Sequence, residues 1–161
     1  MICFLLFLLV PVNAGCALVE QNLVLPITQP LNDEFALDTW FKITAGVGAN
    51  ASVLSLSQRN VRLFTNSAAR VSMSIDSNTL TGTLAVAAFE WVHVAIRVIW
   101  IRTPTGNVQL VVDGDLAKYG ASGVLNSSAA FADGLTLTLA ANVLFDHVRV
   151  WKNASDFTAD D

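Results

Sequence analysis

The feature that most constrains this chain is an alternation of apolar and polar side chains with a period of two. Arg70-Val71-Ser72-Met73-Ser74-Ile75 alternates without error, and Leu135-Thr136-Leu137-Thr138-Leu139 does the same. Val108, Leu110 and Val112 share one side of a run whose other side holds Gln109, Val111 and Asp113. After Trp91, the residues Val92, Val94, Ala95, Ile96 and Val98 are mostly β-branched, with His93 and Arg97 on the opposite side. Successive side chains of a strand point to opposite faces, so such alternation argues strands with one buried face. No run of helical length carries apolar residues three and four apart. The expected strands cover 35–43, 52–57, 60–65, 70–76, 80–86, 91–102, 107–113, 134–140 and 143–151. Turn signals separate them: the Gly-rich stretch 45–50, the Pro-Gly stretch 103–107, Asp113-Gly114 and Asp133-Gly134. Asp-Gly supports the positive φ angles of a type I′ turn. Many short strands at this spacing predict an all-β protein, a sandwich or barrel built as one domain.

Composition agrees. Of 161 residues, 53 % are hydrophobic and only 14 % charged, whereas disorder needs low hydrophobicity and high charge. The two cysteines, Cys3 and Cys16, are too few for a disulfide scaffold. The net charge of −4 speaks against nucleic acid as a partner, because a basic patch supplies most of that affinity.

The first twelve residues, MICFLLFLLVPV, form an apolar run too short to span a bilayer. The run fits the core of a signal peptide, and Val12-Asn13-Ala14 offers a cleavage point after Ala14. Residues 1–14 are therefore expected to be a signal peptide and 15–161 a secreted or surface-exposed domain, although no Lys or Arg precedes the apolar run. A buried first strand is the alternative. A lipidated Cys16 is a further one, which the Asn13 position disfavours. No membrane span is expected in the mature chain, since the longest later apolar stretch, 89–101, carries Glu90, His93 and Arg97.

Four segments carry a resemblance. They are Phe35-Ala36-Leu37-Asp38-Thr39-Trp40-Phe41-Lys42, Glu90-Trp91-Val92-His93-Val94-Ala95, Gln109-Leu110-Val111-Val112-Asp113-Gly114 and Phe145-Asp146-His147-Val148-Arg149-Val150-Trp151. In that order they resemble the laminin G-like, concanavalin A-like lectin/glucanase jelly-roll domains. Residues 156–161 resemble the opening of that family's closing helical turn. Val111 replaces the family's usual Tyr, and His147 its second acidic residue. The resemblance implies two antiparallel sheets in a jelly-roll sandwich, in a domain truncated at its C-terminus. Such a domain would be a fragment or the first module of something longer.

Catalysis is not expected. Glycosidases on this fold need two carboxylates ~5–9 Å apart across the scissile bond, and Glu20, Glu34 and Glu90 form no such pattern. Asp113 and Asp115 read as turn residues. No nucleophile elbow is present, and His93 and His147 with one mature Cys do not make a zinc set. His93 is expected to be structural, hydrogen-bonding a neighbouring strand. His147 is expected to face solvent or to join the same layer. The resemblance keeps calcium open as a cofactor at a sheet rim, where Asp33, Asp38, Asp76, Asp113, Asp115 and Asp133 could supply oxygens. Trp40, Trp91, Trp100 and Trp151 fall in expected strands and are assigned to the core. Asn50, Asn126 and Asn153 match the N-glycosylation acceptor pattern.

The resemblance implies recognition of an extracellular glycan or protein, through loops at one rim or across one concave sheet. A structural or adhesion spacer of a larger surface protein, and the carbohydrate-binding accessory domain of an enzyme, are the competing roles.

Overall fold

A computed structural model describes residues 17–19, 21–28, 34–44, 50–100, 106–125, 135–151 and 154. The strands are β1 (Ala17–Val19), β2 (Leu23–Pro26), β3 (Phe35–Ile43), β4 (Ser52–Leu56), β5 (Arg62–Thr65), β6 (Arg70–Ile75), β7 (Asn78–Ala85), β8 (Trp91–Trp100), β9 (Gly106–Val112), β10 (Ala121–Leu125), β11 (Thr136–Leu139) and β12 (Val143–Trp151). They form two six-stranded sheets, ordered β1-β12-β3-β8-β9-β10 and β2-β11-β4-β5-β6-β7. Every strand pairing is antiparallel. This is the two-sheet jelly-roll sandwich that the alternation and the resemblance predicted. All the expected strands are present, and β1, β2 and β10 are additional.

The core lies between the sheets and is filled by one parity of most strands. From the first sheet come Phe35, Leu37, Phe41 and Ile43 of β3, Val92, Val94, Ile96 and Val98 of β8, and Val108, Leu110 and Val112 of β9. Leu54, Leu63, Val71, Met73, Ile75, Leu137 and Leu139 face them from the second. Fully burying a side chain of this kind contributes ~1.5–3 kcal/mol, so the inward parity fixes the register of every strand that has one. The opposite parity of the first sheet is thereby turned outward.

One irregularity matters for that outer face. Asp146 pairs with Trp40, but Arg149 pairs with Asp38, so β12 carries one extra residue where β3 has Thr39. His147 takes φ 51° at this bulge, a conformation uncommon for a residue with a side chain. The buried Thr39 hydroxyl donates to the carbonyl oxygens of Trp40 and Asp146, at 3.0 and 3.3 Å. The bulge switches the parity of β12. Val143 and Phe145 pack into the core before it, Val148 and Val150 after it. Both Asp146 and Arg149 are left on the outer side.

Two hairpin turns of the second sheet are clasped together. Arg59 and Asn60 both have positive φ, 56° and 48°, in the β4–β5 turn, and Asp76 has φ 52° in the β6–β7 turn. The Arg59 guanidinium donates to both carboxylate oxygens of Asp76, and the Asp76 N–H donates to the Arg59 carbonyl at 2.6 Å. Removing the carboxylate with Asp76→Ala is expected to cost about 1 kcal/mol, the range of a partly exposed ion pair. Urea denaturation checks this, and an unchanged midpoint would mean the clasp holds through its backbone bond alone.

Candidate functional site

The outward parity of the first sheet gathers the side chains with chemistry. Across β12, β3 and β8 the register places Leu144 beside Lys42 and Lys42 beside Trp91. The next row holds Asp146, Trp40 and His93, and the row after it Arg149, Asp38 and Ala95. In the last, Trp151, Ala36, Arg97 and Gln109 lie side by side across four strands. The face divides in two. Trp151 and Leu116 pack over Ala36, Ala95 and Val111 and cover one half. On the other half Trp40 and Trp91 stand open, 41 % and 36 % exposed.

Beneath the boundary lies a buried polar cluster. Asp38 has no exposed surface. Its Oδ1 accepts from Arg149 Nε at 2.9 Å and lies 2.8 Å from Arg149 Nη2, and its Oδ2 accepts from Trp151 Nε1. The guanidinium also sits 5.3 Å from the centroid of the Trp151 ring. His93 Nε2 lies 3.5 Å from Asp38 Oδ1 but makes no hydrogen bond among the described residues. Its ring is 5.1 Å from that of Trp40, tilted by 36°. The His93 backbone is tied instead to the β9 end: its N–H donates to Asp113 Oδ1 at 3.1 Å, and the Asp113 N–H donates to its carbonyl at 2.8 Å.

Several sequence expectations need correction here. Trp40 and Trp91 are not core residues, because the inward positions of β3 and β8 are already taken by Phe41, Ile43, Val92 and Val94. Trp151 is only partly buried, over the outer face. The Trp100 side chain lies outside the described residues. Asp38 is no rim ligand: it is inside β3 and held by Arg149 and Trp151. His93 is buried as expected, yet the bond to a neighbouring strand runs through its backbone and not its ring. His147 is exposed at the bulge, with Nδ1 3.0 Å from Asp146 Oδ1.

Asp113 and Asp115 are turn residues, as read. Asp113 and Gly114 have φ 49° and 72°, and Asp115 N–H closes the turn onto the Val112 carbonyl. The turn does not join two strands directly. Asp115 Oδ1 accepts from Lys118 N–H at 2.8 Å and opens a further turn before β10. Asp76 is clasped by Arg59. Asp33, Asp133, Glu20, Cys3, Cys16, Asn126, Asn153 and residues 1–14 lie outside the described residues. Asn50 is exposed in the turn that leads into β4. Among the described residues, no three His, Cys, Asp or Glu side chains gather where they could hold a metal ion. No helix among them is long and apolar enough to cross a membrane. Lys42 and Arg149 lie in two of the segments that carry the resemblance without a role assigned from it, and their parity with Trp40 and Trp151 signals a shared face.

Comparison with known proteins gives a family and a fold. The model of the concanavalin A-like lectin/glucanases superfamily, of laminin G type, matches residues 19–156. The native heptameric SAP-like pentraxin from Limulus polyphemus superposes with a TM-score of 0.58 at 12 % identity, over 88 % of this chain and 70 % of its own. The binding domain of botulinum neurotoxin DC, in complex with rat synaptotagmin II, gives 0.47 at 10 % identity over 76 % of this chain and 34 % of its own. SCP-B, a peptidase of the eqolisin family, gives 0.39 at 8 % identity over 80 % and 65 %. No curated protein matches the chain.

Proposed function

Because this chain belongs to the concanavalin A-like lectin/glucanases superfamily, we propose that it is a non-catalytic recognition domain, secreted or held at a cell surface, that binds a glycan. The site is the open half of the outer face of the first sheet. The observation that carries this reading is the pair of exposed indoles, Trp40 and Trp91, on adjacent strands. They are diagonal neighbours, roughly 7–8 Å apart in such an arrangement and within reach of aromatic side chains. An indole gives the apolar C–H face of a sugar ring a rigid surface to lie on, while its N–H and nearby polar groups meet the hydroxyls. The cluster beneath keeps the platform rigid, since β12 and β3 are locked together at Asp38. A non-catalytic role is supported by the engagement of four described aspartates. Asp38 and Asp76 are ion-paired, and Asp113 and Asp115 hold backbone N–H groups.

The test is a glycan array probed with the folded chain from Gly15, with calcium and with a chelator, beside the Trp40→Ala/Trp91→Ala double variant. The wild type is expected to bind a set of sugars reproducibly. The double variant should lose at least ~30-fold in affinity, the equivalent of the ~2 kcal/mol typical of a well-packed aromatic anchor, with its unfolding midpoint unchanged. Loss under the chelator would assign a metal to the binding site. A folded wild type that binds no sugar overturns the glycan reading in favour of a protein partner. A double variant that binds undiminished removes the site from this face.

A further inference from the structure

We infer that the sugar taken by this face carries a carboxylate, and that Lys42 reads it. The inference rests on the glycan reading above and adds the ligand's chemical class. Lys42 occupies the outward position of β3 two residues after Trp40 and pairs across the strands with Trp91. Its ammonium lies 5.9 Å from the centroid of the Trp91 ring. The cation thus stands against the Trp91 ring, at a position of the face next to both exposed indoles in the register, and the ring face attracts it without neutralising its charge.

Among the described ionic groups of this face, Asp38 is held by Arg149, Arg97 donates to Gln109 and to the Ala154 carbonyl, and Asp146 Oδ1 lies 3.0 Å from His147 Nδ1 without a hydrogen bond between them. Lys42 has no carboxylate at ion-pair distance among the described residues, and Glu90, next to Trp91 in the chain, makes no such pair with it. A sugar ring lying on the indoles would bring a ring substituent to the ammonium. The substituent that completes the face is an anion, because a neutral hydroxyl leaves the charge uncompensated at a surface made partly apolar by Leu144 and the indoles.

Charge elsewhere limits the size of that anion. The chain carries a net charge of −4, which repels a long polyanion. The one ammonium unpaired among the described residues of this face matches one carboxylate, as in a uronate or a sialate, and not a polysulfated chain.

The experiment uses glucuronate-terminated and sialylated oligosaccharides, each immobilised beside its carboxyl methyl ester, with a heparin-type polysulfated chain as a third arm. The wild type is expected to bind the free acid about tenfold more tightly than the ester, with a preference that shrinks as salt rises. Lys42→Gln should bring acid and ester within about twofold of each other. Lys42→Arg should keep the preference. Whichever of the two acids is preferred identifies the source of the carboxylate. Equal binding of acid and ester, a preference that survives Lys42→Gln, or strongest binding to the polysulfated chain overturns the inference. In the first two cases, Trp-dependent binding to the esters would leave the glycan reading standing. Failure of every sugar to bind takes both down.

Discussion

Arg149→Met is expected to destabilise the fold by about 3–5 kcal/mol, the cost of leaving a buried charge without its partner. Asp38 has no exposed surface, and after the substitution only Trp151 Nε1 would still donate to it. His93 Nε2, at 3.5 Å, makes no hydrogen bond to it. A methionine can fill much of the space of the arginine stem, so the loss is electrostatic and not a cavity effect. The second substitution tells the two apart. Asp38→Ala on top of Arg149→Met removes the stranded carboxylate and should recover part of the loss, although it leaves Trp151 Nε1 unpaired. Urea denaturation of both single variants and the double closes the cycle, with the midpoint falling and the slope unchanged. Strictly additive losses would show that the ion pair has no coupling. The cluster would then be no more than three side chains sharing a space.

Much of this was legible in the alternation, and what was missed was missed for physical reasons. Strands with a fully buried face, such as β3, β6, β8 and β9, announce themselves, because the core rejects any residue out of phase. The strands that went unread, β1, β2 and β10, all stand at sheet edges. An edge strand pairs on one side only, so its pattern is weaker: β2 has Val24 exposed and ends in Pro26, and β10 is a small-residue run, Ala-Ser-Gly-Val-Leu. The site was encoded but misassigned. Trp40 is out of phase with Phe35, Leu37, Phe41 and Ile43, and Trp91 with Val92, Val94 and Ile96. The period-two rule that found the strands therefore also places both indoles outside. The general tendency of tryptophan to be buried was allowed to outweigh it. Asp38 fails in the other direction: its parity is outward, yet it is buried, because the β12 bulge brings Arg149 and Trp151 over it. A bulge of one residue leaves almost no trace in composition.

The second large effect is expected where the two sheets meet at their edges. A methyl group added at Gly120 would lie 2.3 Å from the Leu110 carbonyl oxygen and 2.9 Å from Leu116 Cα. Both are backbone atoms that cannot swing aside. One added at Gly82 would lie 2.6 Å from the Tyr119 carbonyl oxygen, which already accepts from Thr83 N–H at 2.9 Å. The two glycines crowd the same short stretch, where the turn before β10 is stitched to β7, and the Thr83 hydroxyl adds a bond to the Lys118 carbonyl at 2.6 Å. Gly120→Ala is therefore expected to cost about 3 kcal/mol, the upper end for overpacking, and Gly82→Ala about 2 kcal/mol by the same mechanism. Gly123→Ala is the control. Its nearest clash, 2.8 Å, is with Leu80 Cδ2, the mobile tip of a side chain, so it should cost well under 1 kcal/mol once that side chain rotates. Thermal unfolding of the three variants reads the order directly. If Gly123→Ala falls as far as Gly120→Ala, the unyielding backbone neighbours of Gly120 are not what sets its cost.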